Sequence, residues 1–185
     1  SLYYPAWSPA KPLEVTIHHV ISEDGEGFAL PREPIRSAMG LAFNAERNNP
    51  TPEASTLIPI TTNVKTFLDK QLIDIDIHPL IPASRIEVSV FADRGTAVYS
   101  ANSPFELSEG GRRSLFVSPD NPDYPYTLRF STDRQTILTA TIRILTAENP
   151  WQLEPVSPGF IGRYVLDCSR TVPVGLKGAQ QRDGE

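Results

Sequence analysis

Ile86-Glu87-Val88-Ser89-Val90 alternates apolar and polar residues without a break, which is the period of a strand with one face buried and one face wet. The stretches after it repeat the signal: Thr96 to Ser100 and Ser114 to Val117 are short, apolar and β-branched, and Tyr126 to Phe130 and Thr136 to Leu145 complete the run. Turn-forming segments separate them, namely Asp93-Arg94-Gly95, Ser108-Glu109-Gly110-Gly111 and Ser118-Pro119-Asp120-Asn121-Pro122. Short strands at roughly ten-residue spacing, with no helical crossovers between them, predict a mainly β fold: an antiparallel β-sandwich or barrel with one or two short peripheral helices.

Upstream, Leu13, Val15, Ile17 and His19 alternate with Glu14, Thr16 and His18, a strand ended by the turn around Asp24-Gly25. Pro31 to Asn44 carries Ile35, Ala38, Met39, Ala42 and Phe43 at helical spacing and is expected to form a short amphipathic helix. Thr62 to Leu72 is open between two readings. Val64, Phe67, Leu68 and Leu72 fit a helix, while the flanking Thr56 to Ile60 and Gln71 to His78 look extended. Phe160 to Leu166 supplies a last strand. The organisation expected is an aromatic, proline-punctuated arm over residues 1–12, a single β-rich domain over 13–170 and a peripheral tail over 171–185.

Composition bounds the function. The 185 residues suffice for one core, and the 18 prolines, about twice the usual share, disfavour long helices. A net charge of −5, with Arg112-Arg113 as the one basic pair singled out and no longer Lys/Arg run, argues against binding a nucleic-acid backbone. No apolar stretch reaches the ~20 residues that a spanning helix needs, so no membrane insertion is expected. With Cys168 as the single cysteine there is no intrachain disulfide and no cysteine zinc site, which slightly favours a cytoplasmic, reducing setting. The chain starts at Ser1, read as a processed or internal end.

The sharpest chemical constellation is Asp74-Ile75-Asp76-Ile77-His78, because period-two geometry puts Asp74, Asp76 and His78 on one strand face and the isoleucines on the other. Two carboxylates and an imidazole in a row can ligate a divalent ion and activate a water for hydrolysis. The plainer reading, which we favour, is a solvated strand face ended by Pro79. His18 and His19 are adjacent and point to opposite strand faces, so they cannot share an ion. Gly25-Glu26-Gly27 and Gly110-Gly111 lack the following helix of a phosphate loop. No nucleophile elbow is present, Cys168 follows an apolar run as a buried thiol would, and no cofactor is implied.

Two stretches resemble the β-subdomain of the Hsp70 substrate-binding domain. Thr56-Leu57-Ile58-Pro59 followed by Thr62, Val64 and Thr66 is similar to one of its segments, and Tyr126 to Ile142 resembles its closing hairpin, with Ile86 to Val90 and Ser103 to Leu107 between them in the right order. The resemblance implies capture of an extended apolar peptide, with Ile86 and Val88 lining the groove. Bottom-up and by resemblance, the first expectation is therefore a non-enzymatic module that binds a peptide or protein surface, chaperone- or adaptor-like. The second is a structural, capsid-like assembly protein that self-associates through its N-terminal arm. The third is a metal-dependent hydrolase centred on Asp74, Asp76 and His78.

Overall fold

The alternation of Ile86, Val88, Val90 and Ala92 with Arg85, Glu87, Ser89, Phe91 and Asp93 gives a strand with a fully buried face, and that strand sits inside the larger of two packed sheets. The structure is a computed structural model, and it describes residues 13–29, 43–44, 51–82, 85–100, 104–117, 126–148, 150–151, 154–155 and 160–175. In chain order the elements are β1 (Leu13–Ser22), β2 (Gly25–Ala29), β3 (Phe43–Asn44), α1 (Ala54–Leu57), β4 (Ile60–Phe67), β5 (Lys70–Ile77) and β6 (Arg85–Asp93). There follow β7 (Ala97–Tyr99), β8 (Phe105–Leu107), β9 (Arg112–Val117), β10 (Tyr126–Asp133), β11 (Ile137–Thr146), β12 (Glu154–Pro155) and β13 (Phe160–Val174).

One sheet has six strands in the order β2-β1-β13-β11-β6-β9, the other five in the order β4-β5-β10-β7-β8, and β3 pairs with β12. The two larger sheets bury one common core. Ile73, Ile75 and Ile77 of β5 and Leu128 and Phe130 of β10 face Ile86, Val88 and Val90 of β6, Leu138, Ala140, Ile142 and Ile144 of β11, and Leu166 and Cys168 of β13. This is a β-sandwich without a closed barrel, one of the two architectures that the alternation predicts.

Among the described strands the pairing departs from antiparallel at one place. β1 runs parallel to β13, with Ile17 opposite Tyr164 and Ile21 opposite Cys168, while β13 is antiparallel to β11. β13 is also longer than the sequence predicts. It continues through Thr171–Val174, where Val174 opposes Leu138, so the expected tail from residue 171 is corrected over those four residues. Pro173 and the exposed Thr171 hide this extension from a pattern reading.

Over 62–72 the structure decides for strands, with β4 and β5 joined by a two-residue turn. Of the helix expected over Pro31 to Asn44, the described residues are Phe43 and Asn44, which form β3; the rest lies outside them, as do the arm over 1–12 and residues 176–185. Among the described residues, no helix is long and apolar enough to cross a membrane.

Candidate functional site

The row carrying Asp74 and Asp76 lies on the outer face of the five-stranded sheet, with Ile75 between them and the flanking Ile73 and Ile77 pointing into the core. Cross-strand neighbours engage it. Arg129 of β10, directly opposite Asp74, donates from Nε to Oδ1 at 2.7 Å and from Nη2 to Oδ2 at 3.3 Å. The Asp74 carboxylate raises the Arg129 guanidinium further above its already high value. Asp76 accepts from Thr127 at 2.6 Å and from Thr61 at 3.5 Å, and His78 Nε2 lies 3.2 Å from the same Thr61 hydroxyl. Among the described residues no three His, Cys, Asp or Glu side chains converge as a metal site. Ile86 and Val88 are fully buried on β6, packed within the common core.

Next to this row the sheet ends in β4, and the chemistry there belongs to the backbone. Its eight residues pair with β5 in unbroken register, from Ile60 opposite Ile77 to Phe67 opposite Lys70, without bulge or proline. Phe67 and Lys70 flank the two-residue turn, so they form the hydrogen-bonded pair that closes the hairpin. Alternation along an antiparallel ladder then turns the N–H and C=O groups of Thr66, Val64, Thr62 and Ile60 away from β5. The bond from the His78 N–H to the Pro59 carbonyl, 2.8 Å, keeps the same phase. Among the described residues no strand pairs with that outer edge.

The other sheet edges differ. β8 has three residues, β2 five, and β9 carries Arg112 and Arg113, with the Arg85 guanidinium 4.4 Å above the Phe116 ring. Charges on an edge and short edge strands both discourage pairing. β4 carries a single charge, Lys65, beside a shallow depression of about 230 Å³ shared with Asn63, Leu72, Asp74 and Arg129. Large apolar side chains stand exposed near its two ends: Phe67 (72%), Leu68 (76%) and Leu72 (46%) toward the hairpin, and Leu80 (67%) at the other, where the Leu80 N–H donates to the Leu57 carbonyl. Leu68 sits at φ +56, a conformation that costs an L-residue about 1 kcal/mol or more, and its exposed side chain recovers little by burial in this chain.

A polar knot anchors the hairpin from below. Asp133 accepts from Lys70 Nζ at 2.7 Å and from the Thr96 N–H at 3.0 Å, and buried Gln71 donates to the Thr136 and Asp133 carbonyls at 2.6 and 3.1 Å. The hydrogen bond from Lys70, then that from Thr96, holds the Asp133 carboxyl below the usual carboxylate range. A depressed folded-state value means that Asp133 stabilises the fold above its unfolded value and loses that contribution as pH falls through the folded one. Asp133→Asn is therefore expected to lower stability at pH 7 by about 1 kcal/mol, with the gap from the parent closing on acidification below pH ~4. Urea denaturation of both proteins at several pH values tests this, and a pH-independent gap would refute it.

A second cluster was not legible in the sequence. His19, fully buried, has the Tyr164 hydroxyl 2.5 Å from Nδ1 and Glu26 Oε2 2.9 Å from Nε2, with Phe28 stacked at 4.5 Å and Trp151 edge-on at 5.4 Å. The carboxylate accepts, so Nε2 carries a proton, and in the neutral ring Nδ1 accepts from the tyrosine hydroxyl. His18 points out to solvent, as the strand geometry requires. The β1–β2 turn and the segment before α1 enclose a cleft of about 510 Å³ bearing Glu23, Asp24, Glu26 and Glu53. Glu23 accepts from the Thr171 N–H and Glu26 is held by His19, so two of the four carboxylates already serve the fold.

Burial pushes the Cys168 thiol up to about 12, and the residue lies in the core. Its thiolate fraction at neutral pH is negligible, so an aromatic disulfide reagent is expected to react with it only at the rate of unfolding. Prompt labelling of the native protein would contradict the buried placement.

Among known proteins, the chain is similar to an uncharacterized protein of Treponema pallidum (strain Nichols), 26% identical over 147 residues. That alignment covers 78% of this chain but 22% of the relative, so the chain spans about a fifth of that protein's length. Among solved structures it is similar to the Fcho1 Mu homology domain of Danio rerio with bound Eps15 peptide, over 64% of this chain and 48% of that one, at 14% identity and a TM-score of 0.40. That overlap is too partial to carry an argument about ligands. Residues 14–160 match the model for the third domain of the TP_0564 family, and the chain belongs to that family.

Proposed function

We propose that this domain is a protein-binding module that captures an extended polypeptide segment along the free edge of β4. The observation that carries the reading is the regular, eight-residue, bulge-free edge with four residues' backbone groups turned outward. In strand addition the main-chain hydrogen bonds supply affinity, and alternate side chains supply selectivity. On one side an added strand meets half-buried Ile60 and Val64, which pack against the core; on the other it meets Thr61, Asn63 and Lys65. The preferred segment thus alternates apolar and polar residues. Capture of an extended peptide is also what the likeness to the Hsp70 β-subdomain implies, here by an edge rather than by Ile86 and Val88.

Thr62→Pro tests the reading. The substitution removes an N–H that faces away from β5, so the hairpin keeps its own ladder while the edge loses a donor and gains a ring in the path of an incoming strand. A fluorescein-labelled octapeptide of alternating valine and threonine, with lysines at its ends for solubility, is expected to bind the parent protein and to lose at least ~10-fold in affinity with Thr62→Pro at unchanged thermal stability. Equal binding by both proteins, or none by either, would sink the reading.

A further inference from the structure

We infer that the strand captured by β4 is β4 of a second copy, so that two five-stranded sheets join antiparallel across a two-fold axis. This rests on the edge-capture reading and names its partner. The edge is complementary to itself. Outward-facing backbone groups must oppose one another, which admits registers pairing residues of the set Ile60, Thr62, Val64 and Thr66. The register that uses nearly the whole strand and sets Ile60 opposite Thr66 and Thr62 opposite Val64 places the axis at Asn63.

Three consequences follow from positions already described. Phe67 of each copy falls opposite Pro59 of the other, so the exposed Phe67-Leu68 tip meets the end where exposed Leu80 stands beside Leu57. Lys65 falls opposite Thr61, one strand in from Asp76, whose oxygens accept from threonine hydroxyls and which has no ion pair among the described residues. Shifting the register by two residues the other way would instead set Phe67 against Thr61 and Lys65 against Asn63, whose neighbour Asp74 already has Arg129. The two-fold arrangement thus pairs apolar with apolar and cation with anion, each contact occurring twice, as an isologous interface requires. It also gives the exposed, positive-φ Leu68 a surface to cover.

A single strand pair buries less than a standard interface, so the association expected is micromolar rather than nanomolar. Sedimentation velocity of the full chain over about 2–500 µM should show a monomer–dimer equilibrium. Thr62→Pro should leave a monomer throughout, and Phe67→Ser, which changes no buried contact, should weaken the dimer about 5-fold or more. Lys65→Asp and Asp76→Lys should each self-associate more weakly than the parent, while an equimolar mixture of the two should form a heterodimer at least ~10-fold tighter than either alone, because both charge pairs are then attractive, one in its original sense and one reversed.

A monomer at every concentration, a dimer indifferent to Thr62→Pro and Phe67→Ser, or a charge-swapped mixture no tighter than its components would each overturn the self-pairing. If the chain stays monomeric yet binds the valine–threonine octapeptide in a Thr62→Pro-sensitive way, the self-pairing fails and edge capture stands. If the octapeptide also fails to bind, both fall.

Discussion

Phe130→Ala is expected to cost about 3–5 kcal/mol of folding stability, the largest loss for any single truncation in this sandwich. Phe130 is fully buried on β10, the middle strand of the five-stranded sheet, with Ile73 of β5 on one side and Tyr99 of β7 on the other. Its ring lies 5.2 Å from that of Tyr99 and edge-on to Phe105 at 6.5 Å, so the three rings bridge β10, β7 and β8. Removing the Phe130 ring loses transfer energy and leaves a cavity that paired strands cannot close by moving together. Urea denaturation should show a lower midpoint with an unchanged slope. Phe67→Ala is the contrast: its ring is on the surface, and a change within about 0.5 kcal/mol is expected. Similar losses for the two variants would mean that Phe130 is not in the core.

Gly95→Ala should be the next most damaging change, at about 2–4 kcal/mol. Gly95 adopts φ +130, and a Cβ there would lie 2.4 Å from Thr136 Oγ1 and 2.8 Å from Asp133 Oδ2. Neither atom is free to retreat. Thr136 is fully buried and donates to the Arg94 carbonyl at 3.1 Å, and Asp133 is fixed by Thr96 and Lys70. Gly110→Ala separates the two causes of damage. Gly110 has φ +78 but nothing within 4 Å of its would-be Cβ, so that variant should lose only about 1 kcal/mol, the backbone strain alone. Equal melting-temperature shifts for the two would remove the steric argument.

The strand-rich sandwich was readable because its core obeys period two: Ile73, Ile75 and Ile77, and Ile86, Val88 and Val90, all point inward where the alternation puts them. The stretch over 62–72 stayed ambiguous for a physical reason. Phe67, Leu68 and Leu72 mimic helical spacing, yet they are apolar without being buried, so the pattern there records a surface rather than a core. The parallel pairing of β1 with β13 joins residues almost 150 positions apart, and no local signal marks it.

The same distance explains the missed cluster, since His19 meets Tyr164 only through that pairing. The outward Asp74 and Asp76 were placed correctly on their face, but their partners Arg129 and Thr127 come from a strand that sequence spacing cannot align with them. The outer edge of β4, unpaired among the described residues, was invisible for a different reason: it is a property of strand order and backbone phase, carried by no side-chain motif.

β13 occupies the lane between β1 and β11, and the family match ends at residue 160, where that strand begins. During synthesis, the hairpin of β1 and β2 therefore leaves the ribosome more than a hundred residues ahead of the strand that, among the described residues, seats it in the six-stranded sheet. Until then β1 is an unsatisfied template, open to misdirected partners and to holdase chaperones. A gene truncated at the family boundary would hold the nascent chain in that state permanently.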